Sequence, residues 1–225
     1  MQEPYARQIS AASSIEINKV LRNTYLLLSM TLLFSALTAG VAMAIGIGRG
    51  TGLIMSLVAL GLIWFVLPRT ANSSTGLVVV FAFTGLIGAS LGPILNHYLA
   101  LTNGPGIVMQ ALGGTAITFL GLSGYALVSR KDFSFLHGFV AMGMIVMILA
   151  MLALLGASLF GVDVSMLSLA FSAGVILLMS ALILFQTSAI IHGGETNYIM
   201  ATTSLYLSII NIFTSLLHLL GAADD

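Results

Sequence analysis

The sequence predicts an all-α integral membrane protein with seven transmembrane helices, its amino terminus in the cytoplasm and its carboxyl terminus outside. Three observations lead there. The 225 residues are 59% hydrophobic and only 6% charged, with a mean hydropathy of +1.11. Water-soluble domains carry about a quarter charged residues, so this chain has too little polar surface to cover itself in water. The apolar residues also gather into seven runs, most of them near the roughly twenty residues that carry a helix across the hydrocarbon core. Finally, six of the seven basic residues (Arg7, Lys19, Arg22, Arg69, Arg130 and Lys131) fall on segments that alternating crossings place on the amino-terminal side, against Arg49 alone on the other. That is a positive-inside bias.

Residues 1–18 are polar, with scattered small and apolar side chains, and read as a mostly disordered tail; with Lys19 and Arg22 the tail spans 1–22. The membrane domain then covers 23–221, and 222–225 form a short external tail ending in Asp224 and Asp225. The first span, Thr24–Ile47, is too long for a signal-peptide core and leads into no soluble domain. Its Thr31, Ser35, Thr38 and Ala42 form a stripe of small side chains suited to close helix contact. Gly46, Gly48, Gly50 and Gly52 around Arg49 predict a tight turn. The second span, Leu53–Leu67, is closed by Pro68 and Arg69 and is short enough to need help from flanking residues or a thinner bilayer. Trp64 near its end reads as an interfacial anchor.

After Asn72, Ser73 and Ser74, a third span covers Gly76–Leu95 with Gly85, Gly88 and Gly92; the last two make a G-x-x-x-G step. Pro93 has no amide hydrogen and is expected to kink or end it. The fourth span is Ile107–Val128, with Gln110, Gly114, Gly121 and Gly124 along one side. Arg130, Lys131 and Asp132 interrupt the chain, and Asp132 or Ser134 is placed to cap a fifth span within Phe135–Phe160. A turn at Gly161–Asp163 precedes the sixth and seventh spans, which share residues 164–221 and join through a polar hairpin centred on His192–Asn197.

The seventh span, Tyr198–Leu220, has no charged residue, yet it repeats Ser204, Ser208, Asn211, Ser215 and His218 in steps of four, three, four and three. That spacing puts all five on one side of a helix. Two readings follow. One is a packing seam, in which small residues admit close approach and Asn211 bonds across the interface. The other is the wall of an ion or proton path, which normally needs intramembrane carboxylates that these spans lack. Gln186, with Thr187 and Ser188, either pairs with the start of the seventh helix or reaches the headgroups. His192 and Glu195 in HGGET are a weak metal-ligand pair; Gly193 and Gly194 between them fit an interfacial turn. His97, His137 and His218 read as interfacial or packed residues, and His218 alone is on the seam, where it can tune a pH response.

Other chemistry is excluded by what is missing. The chain has no cysteine, which removes disulfides, thiol nucleophiles and thiolate metal sites and leaves the redox compartment open. Zero formal charge and no basic run give no footprint for nucleic acid. No phosphate-binding glycine loop, H-E-x-x-H or G-x-S-x-G occurs, so neither a cofactor nor a catalytic cluster is implied.

Four stretches resemble the Bax-inhibitor family of seven-helix membrane proteins: KVLRNTYLLLSMTLLFSALTA at 19–39, FAFTGLIGASLGPIL at 81–95, ALGGTAITFLGLSGYALVSRKDFSFLHGF at 111–139 and ILFQTSAIIHGGETNYIMATTSLYLSIINIF at 183–213. The last, with HGGETNYI, is similar to the bacterial branch that modulates the membrane-anchored, ATP-dependent FtsH protease. The resemblance implies a seven-helix bundle in the bacterial inner membrane with the last helix near its centre. It implies two family aspartates, at F-D-T and L-Y-L-D-x-x-N; these positions hold Gln186 in FQT and Ser208 in LYLSIIN. A proton-sharing carboxylate pair cannot form from them, because neither titrates near neutrality. The pH-sensitive calcium leak described for some members is the weaker expectation for that reason. The stronger one is a non-enzymatic regulator that binds the protease complex, limits its action and is also its substrate. On that reading the amino-terminal residues, among them Gln2, Arg7 and Ser14, form the handle that an unfoldase pulls. A small-solute transporter and a membrane enzyme are further alternatives, the first lacking a substrate-binding charge and the second a nucleophile–base pair.

Overall fold

The structure, a computed structural model, describes residues 3–223, with side chains from Ile15 onward. The described residues are helical with no strand, and seven helices are long and apolar enough to cross a membrane. These are α1 (Glu3–Ala44), a second span beginning with α2 (Arg49–Gly61), α4 (Ser74–Leu99), α5 (Gly104–Ser129), α6 (Leu136–Leu159), α7 (Ser165–Ile191) and α8 (Tyr198–Ala222). A wide π-helical turn at Leu62–Val66 joins α2 to the short α3 (Leu67–Thr70).

Three boundaries differ from expectation, each for a local reason. The tail is helical from Glu3, so α1 extends well before the membrane. Between Tyr5 and Ala39 there is neither glycine nor proline to stop it, and Pro4 lies in the first turn, where a missing amide hydrogen is tolerated. Gln2, Asp224 and Asp225 lie outside the described residues.

The second span is not short: it runs Arg49–Thr70, 22 residues. Of the four glycines around Arg49 only Gly46 takes a left-handed conformation, at φ 69°, and Gly50 and Gly52 are already helical. Near its other end Pro68 can neither donate to Trp64 nor fit its ring against that carbonyl in a regular turn. The wide turn relieves the clash, and the Arg69 guanidinium donates to the Phe65 carbonyl at 2.7 Å. Trp64 is exposed beside this end. In α4, Pro93 does not stop the helix, which continues to Leu99. Its ring is accommodated against α2 by the absence of a side chain at Gly52, where an added Cβ would meet the ring at 3.0 Å.

The described residues form two compact units. One comprises the chain up to Ile94 with Ala189–Tyr206; the other comprises Leu95–Ser188 with the chain from Leu207. In the first, Leu27, Leu67, Ala71, Val79, Val80 and Ile199 make a buried apolar cluster flanked by Leu62, Val66, Leu77 and Tyr198. The predicted small-residue stripe of α1 packs as expected: Thr31, Ser35 and Ala42 are buried, facing the G-x-x-x-G of α4. A Cβ at Gly88 would overlap the Ser35 carbonyl oxygen, and one at Gly92 would lie 2.7 Å from the Ala42 methyl. In the second unit, α5 buries Ile107, Ala111, Thr115, Phe119, Ser123 and Ala126, a regular stripe. Of the predicted glycine side only Gly114 is packed, where an added Cβ would lie 3.1 Å from Leu216, whereas Gln110 is exposed and Gly121 and Gly124 border open space. Helix α6 fully buries only Val140; Gly143 and Met147 lie against Leu178 and Gly174 of α7, and much of the rest is exposed.

Candidate functional site

Asn197 ties the polar hairpin between α7 and α8 both to α8 and to a neighbouring loop. Asn197 immediately precedes α8, and its Oδ1 accepts the backbone N–H groups of Ile199 at 2.9 Å and Met200 at 3.1 Å, an N-cap on donors that have no partner within the helix. Its Nδ2 donates to the Ala71 carbonyl at 3.0 Å and to Asn72 Oδ1 at 2.7 Å, tying the hairpin to the loop after α3. Glu195 completes the turn by accepting the Asn197 N–H at 2.8 Å. Gly193 takes φ 75°, which favours glycine. The HGGETN sequence is therefore a turn whose carboxylate caps backbone, and His192 and Glu195 belong to no group of three or more metal-ligating side chains among the described residues.

Two open clefts flank this hairpin. One, of about 560 Å³, is lined by Glu16, Lys19 and Asn23 of α1 and by Gly193, Glu195, Thr196 and Tyr198. The other, of about 520 Å³, is lined by Ala71–Ser74, Leu77 and Thr196–Ile199. Thr196 and Tyr198 line both. The hairpin thus lies between two recesses beside the start of α8.

Deeper in the same unit, Tyr206 is fully buried on α8. Its hydroxyl lies 2.7 Å from Ser35 Oγ of α1 and donates to the Thr84 carbonyl of α4 at 3.3 Å. Its ring meets Phe83 edge-on at 5.6 Å. One phenol therefore joins three helices, a role that spacing alone did not single out. Thr202 adds a second tie, to the Thr24 carbonyl at 3.2 Å.

The predicted polar seam of α8 divides. Ser208 and Ser215 are buried, Ser204 and His218 are half-buried, and Asn211 is exposed. The Asn211 Nδ2 donates to the Leu207 carbonyl of its own helix at 2.8 Å, so this bond does not cross an interface. His218 Nδ1 lies 2.8 Å from Ser172 Oγ of α7, which makes it a packed residue. Gln186 is half-buried, and its Oε1 is sealed without a hydrogen-bond partner, as is the Thr187 hydroxyl. Its neighbour Ser188 instead receives the Phe133 N–H at 2.9 Å and donates to the Lys131 carbonyl at 3.3 Å. Those two bonds fix the loop before α6. Arg7 and Ser14 of the predicted handle lie on α1.

The sequence missed Asn197, Tyr206 and Ser188 as organising residues. For Asn197 a signal existed, an asparagine directly before an apolar run. For the other two none did, because their partners are distant in sequence.

Comparison with known proteins gives consistent matches along the chain. The profile of the family described as "Inhibitor of apoptosis-promoting Bax1" matches residues 17–225. An "Uncharacterized membrane protein" of Vibrio cholerae is 51% identical across 98% of this chain and 97% of its own. The "Modulator of FtsH protease YccA" of Escherichia coli K12 is 50% identical across 94% of each chain. The "Inner membrane protein YccA" of Escherichia coli O6:H1 is similar to the same extent.

Proposed function

The chain belongs to the Bax inhibitor family and is a multi-pass inner-membrane protein, and from that premise we propose that it regulates an FtsH-like, ATP-dependent membrane protease by binding it. The observation that carries this reading is 50% identity, over 94% of both chains, to a protein named as a modulator of that protease. In this reading the chain restrains the protease's action on other membrane proteins, is itself drawn on as a substrate, and performs no chemistry of its own. The bias of basic residues supports a cytoplasmic amino terminus and hairpin. The handle reading asked for an unstructured end, whereas α1 is helical from Glu3, so an unfoldase pulling here first unwinds the opening turns of α1.

The cation leak is the weaker reading, since the family resemblance sets Gln186 and Ser208, neither of them a carboxylate, at the positions of its acid pair. Affinity purification at native expression in mild detergent tests the proposal; it expects co-recovery of a membrane-anchored ATP-dependent protease, and recovery of none refutes it. The handle has its own test. Deleting Gln2–Ser14 should slow turnover with insertion intact, and unchanged turnover refutes that part alone.

A further inference from the structure

We propose that the cleft between α1 and the α7–α8 hairpin binds the headgroup of a zwitterionic aminophospholipid, whose acyl chain lies along the outer face of α1. This does not rest on the protease reading. The cleft has the volume of a small-ligand site, about 560 Å³, and it opens where α1 enters the apolar region, beside Tyr198 at the start of α8. Its lining carries charges of both signs: Glu16 and Lys19 on α1, and Glu195 on the hairpin. A phosphate suits Lys19, and a primary ammonium, with three N–H donors, suits the carboxylates. Glu16 and Lys19 are three apart on α1, which brings their Cβ atoms to roughly 5–6 Å. That spacing suits two charges held apart by the two-carbon linker of an ethanolamine headgroup. With two carboxylates against one ammonium, the cleft disfavours a headgroup that carries only negative charge.

A second observation points to a lipid and not to a soluble ligand. Lys19 and Asn23 line the cleft, and in steps of three and four the same face of α1 continues through Leu26, Met30, Leu33 and Leu37. Those four side chains are 57%, 48%, 69% and 69% exposed. At about 1.5 Å per residue the track from Leu26 to Leu37 is roughly 16 Å long. Half of a hydrocarbon core of about 30 Å is nearly the same length. Headgroup site and apolar track are thus in line on one helix face, at the dimensions of one leaflet.

The test uses the full chain, purified and incorporated into nanodiscs of phosphatidylethanolamine, phosphatidylglycerol and phosphatidylcholine in equal parts. Lipids that remain bound after mild detergent transfer are counted by native mass spectrometry. The expected result is one retained phosphatidylethanolamine per chain, at least fivefold enriched over the other two. Phosphatidylcholine falls behind because its quaternary ammonium has no N–H to donate. Lys19→Glu and Glu16→Lys should each reduce retention at least fivefold with thermal stability unchanged, since both side chains are exposed. Equal retention of all three lipids, or retention that neither variant lowers, overturns the proposal. Free phosphoethanolamine that competes as well as the lipid does would overturn the acyl track and leave a soluble ligand instead.

Discussion

Replacing Asn197 should loosen the hairpin by two separable routes. Asn197→Ala removes the N-cap of α8, worth about 1 kcal/mol. It also removes two neutral hydrogen bonds, to the Ala71 carbonyl and Asn72 Oδ1, each worth about 1 kcal/mol. The expected loss is about 2–3 kcal/mol. Asn197→Asp keeps the acceptor that caps Ile199 and Met200 but loses both donors, and it sets a carboxylate oxygen against two oxygen acceptors. It should still lose about 1–2 kcal/mol despite the favourable charge at a helix start. Equilibrium unfolding in mixed micelles, by titration with denaturing detergent, measures both. A double-mutant cycle of Asn197→Ala with Asn72→Ala isolates the bridge and should show about 1 kcal/mol of coupling. A coupling below about 0.3 kcal/mol, or an Asn197→Asp variant as stable as the parent, would refute the claim that this side chain ties hairpin to loop.

Four further outcomes follow from the packing. Gly88→Ala should destabilise the fold by about 1–3 kcal/mol, because its methyl would overlap the Ser35 backbone; Gly121→Ala, which meets open space, should be neutral in the same unfolding assay. Tyr206→Phe should lose about 1–2 kcal/mol by removing the hydroxyl shared with Ser35 and Thr84, with Ser35→Ala adding less than its separate effect. Thr203→Val should change stability by under about 0.5 kcal/mol, since the hydroxyl it removes bonds only the Ile199 carbonyl of its own helix. Finally, the Ser165 hydroxyl and N–H hold the Asp163 carboxyl below its ordinary range. Its capping of α7 is then complete above the unfolded pKa and lost as pH falls through the lower folded value. Amide exchange at Ser165, corrected for intrinsic rates, should quicken below about pH 4 in the parent and not in Asp163→Asn.

The number and order of the spans were legible in the sequence because hydrocarbon demands long apolar runs, and nothing else in the chain supplies them. That α1 makes a close helix contact was legible too, from the stripe Thr31, Ser35, Thr38 and Ala42, but its partner on α4, at Gly88 and Gly92, was not. Glycine and proline misled. Gly50 and Gly52 read as turn but are helical, and Pro93, read as a kink or a stop, does not stop α4, its ring lying against Gly52 of a neighbouring helix. A membrane helix tolerates both residues when a neighbour fills the space. The polar residues of α8 were legible as a periodic set but not as to direction. Ser208 and Asn211 are three apart, about 60° around the axis, which is enough to bury one and expose the other.

Hydroxyls in the spans are mostly satisfied locally. Thr31, Ser56, Ser90, Thr115, Thr203 and Thr214 each donate to a carbonyl three or four residues back on their own helix. Such a bond answers the hydroxyl's need in an apolar medium without a partner helix. What these residues contribute between helices is therefore small volume. Specific polar ties between helices include Tyr206 with Ser35 and Thr84, Thr202 with Thr24, and Ser172 with His218. Position matters more than composition here, because a serine that bonds back is replaceable by alanine, whereas Tyr206 is not replaceable by any side chain that lacks its reach. By the same logic the orphaned Gln186 Oε1 and Thr187 hydroxyl stand out. Each leaves a desolvated polar atom that costs about 1–3 kcal/mol. The Gln186 amide is a polar group without a titratable proton, so it cannot signal pH.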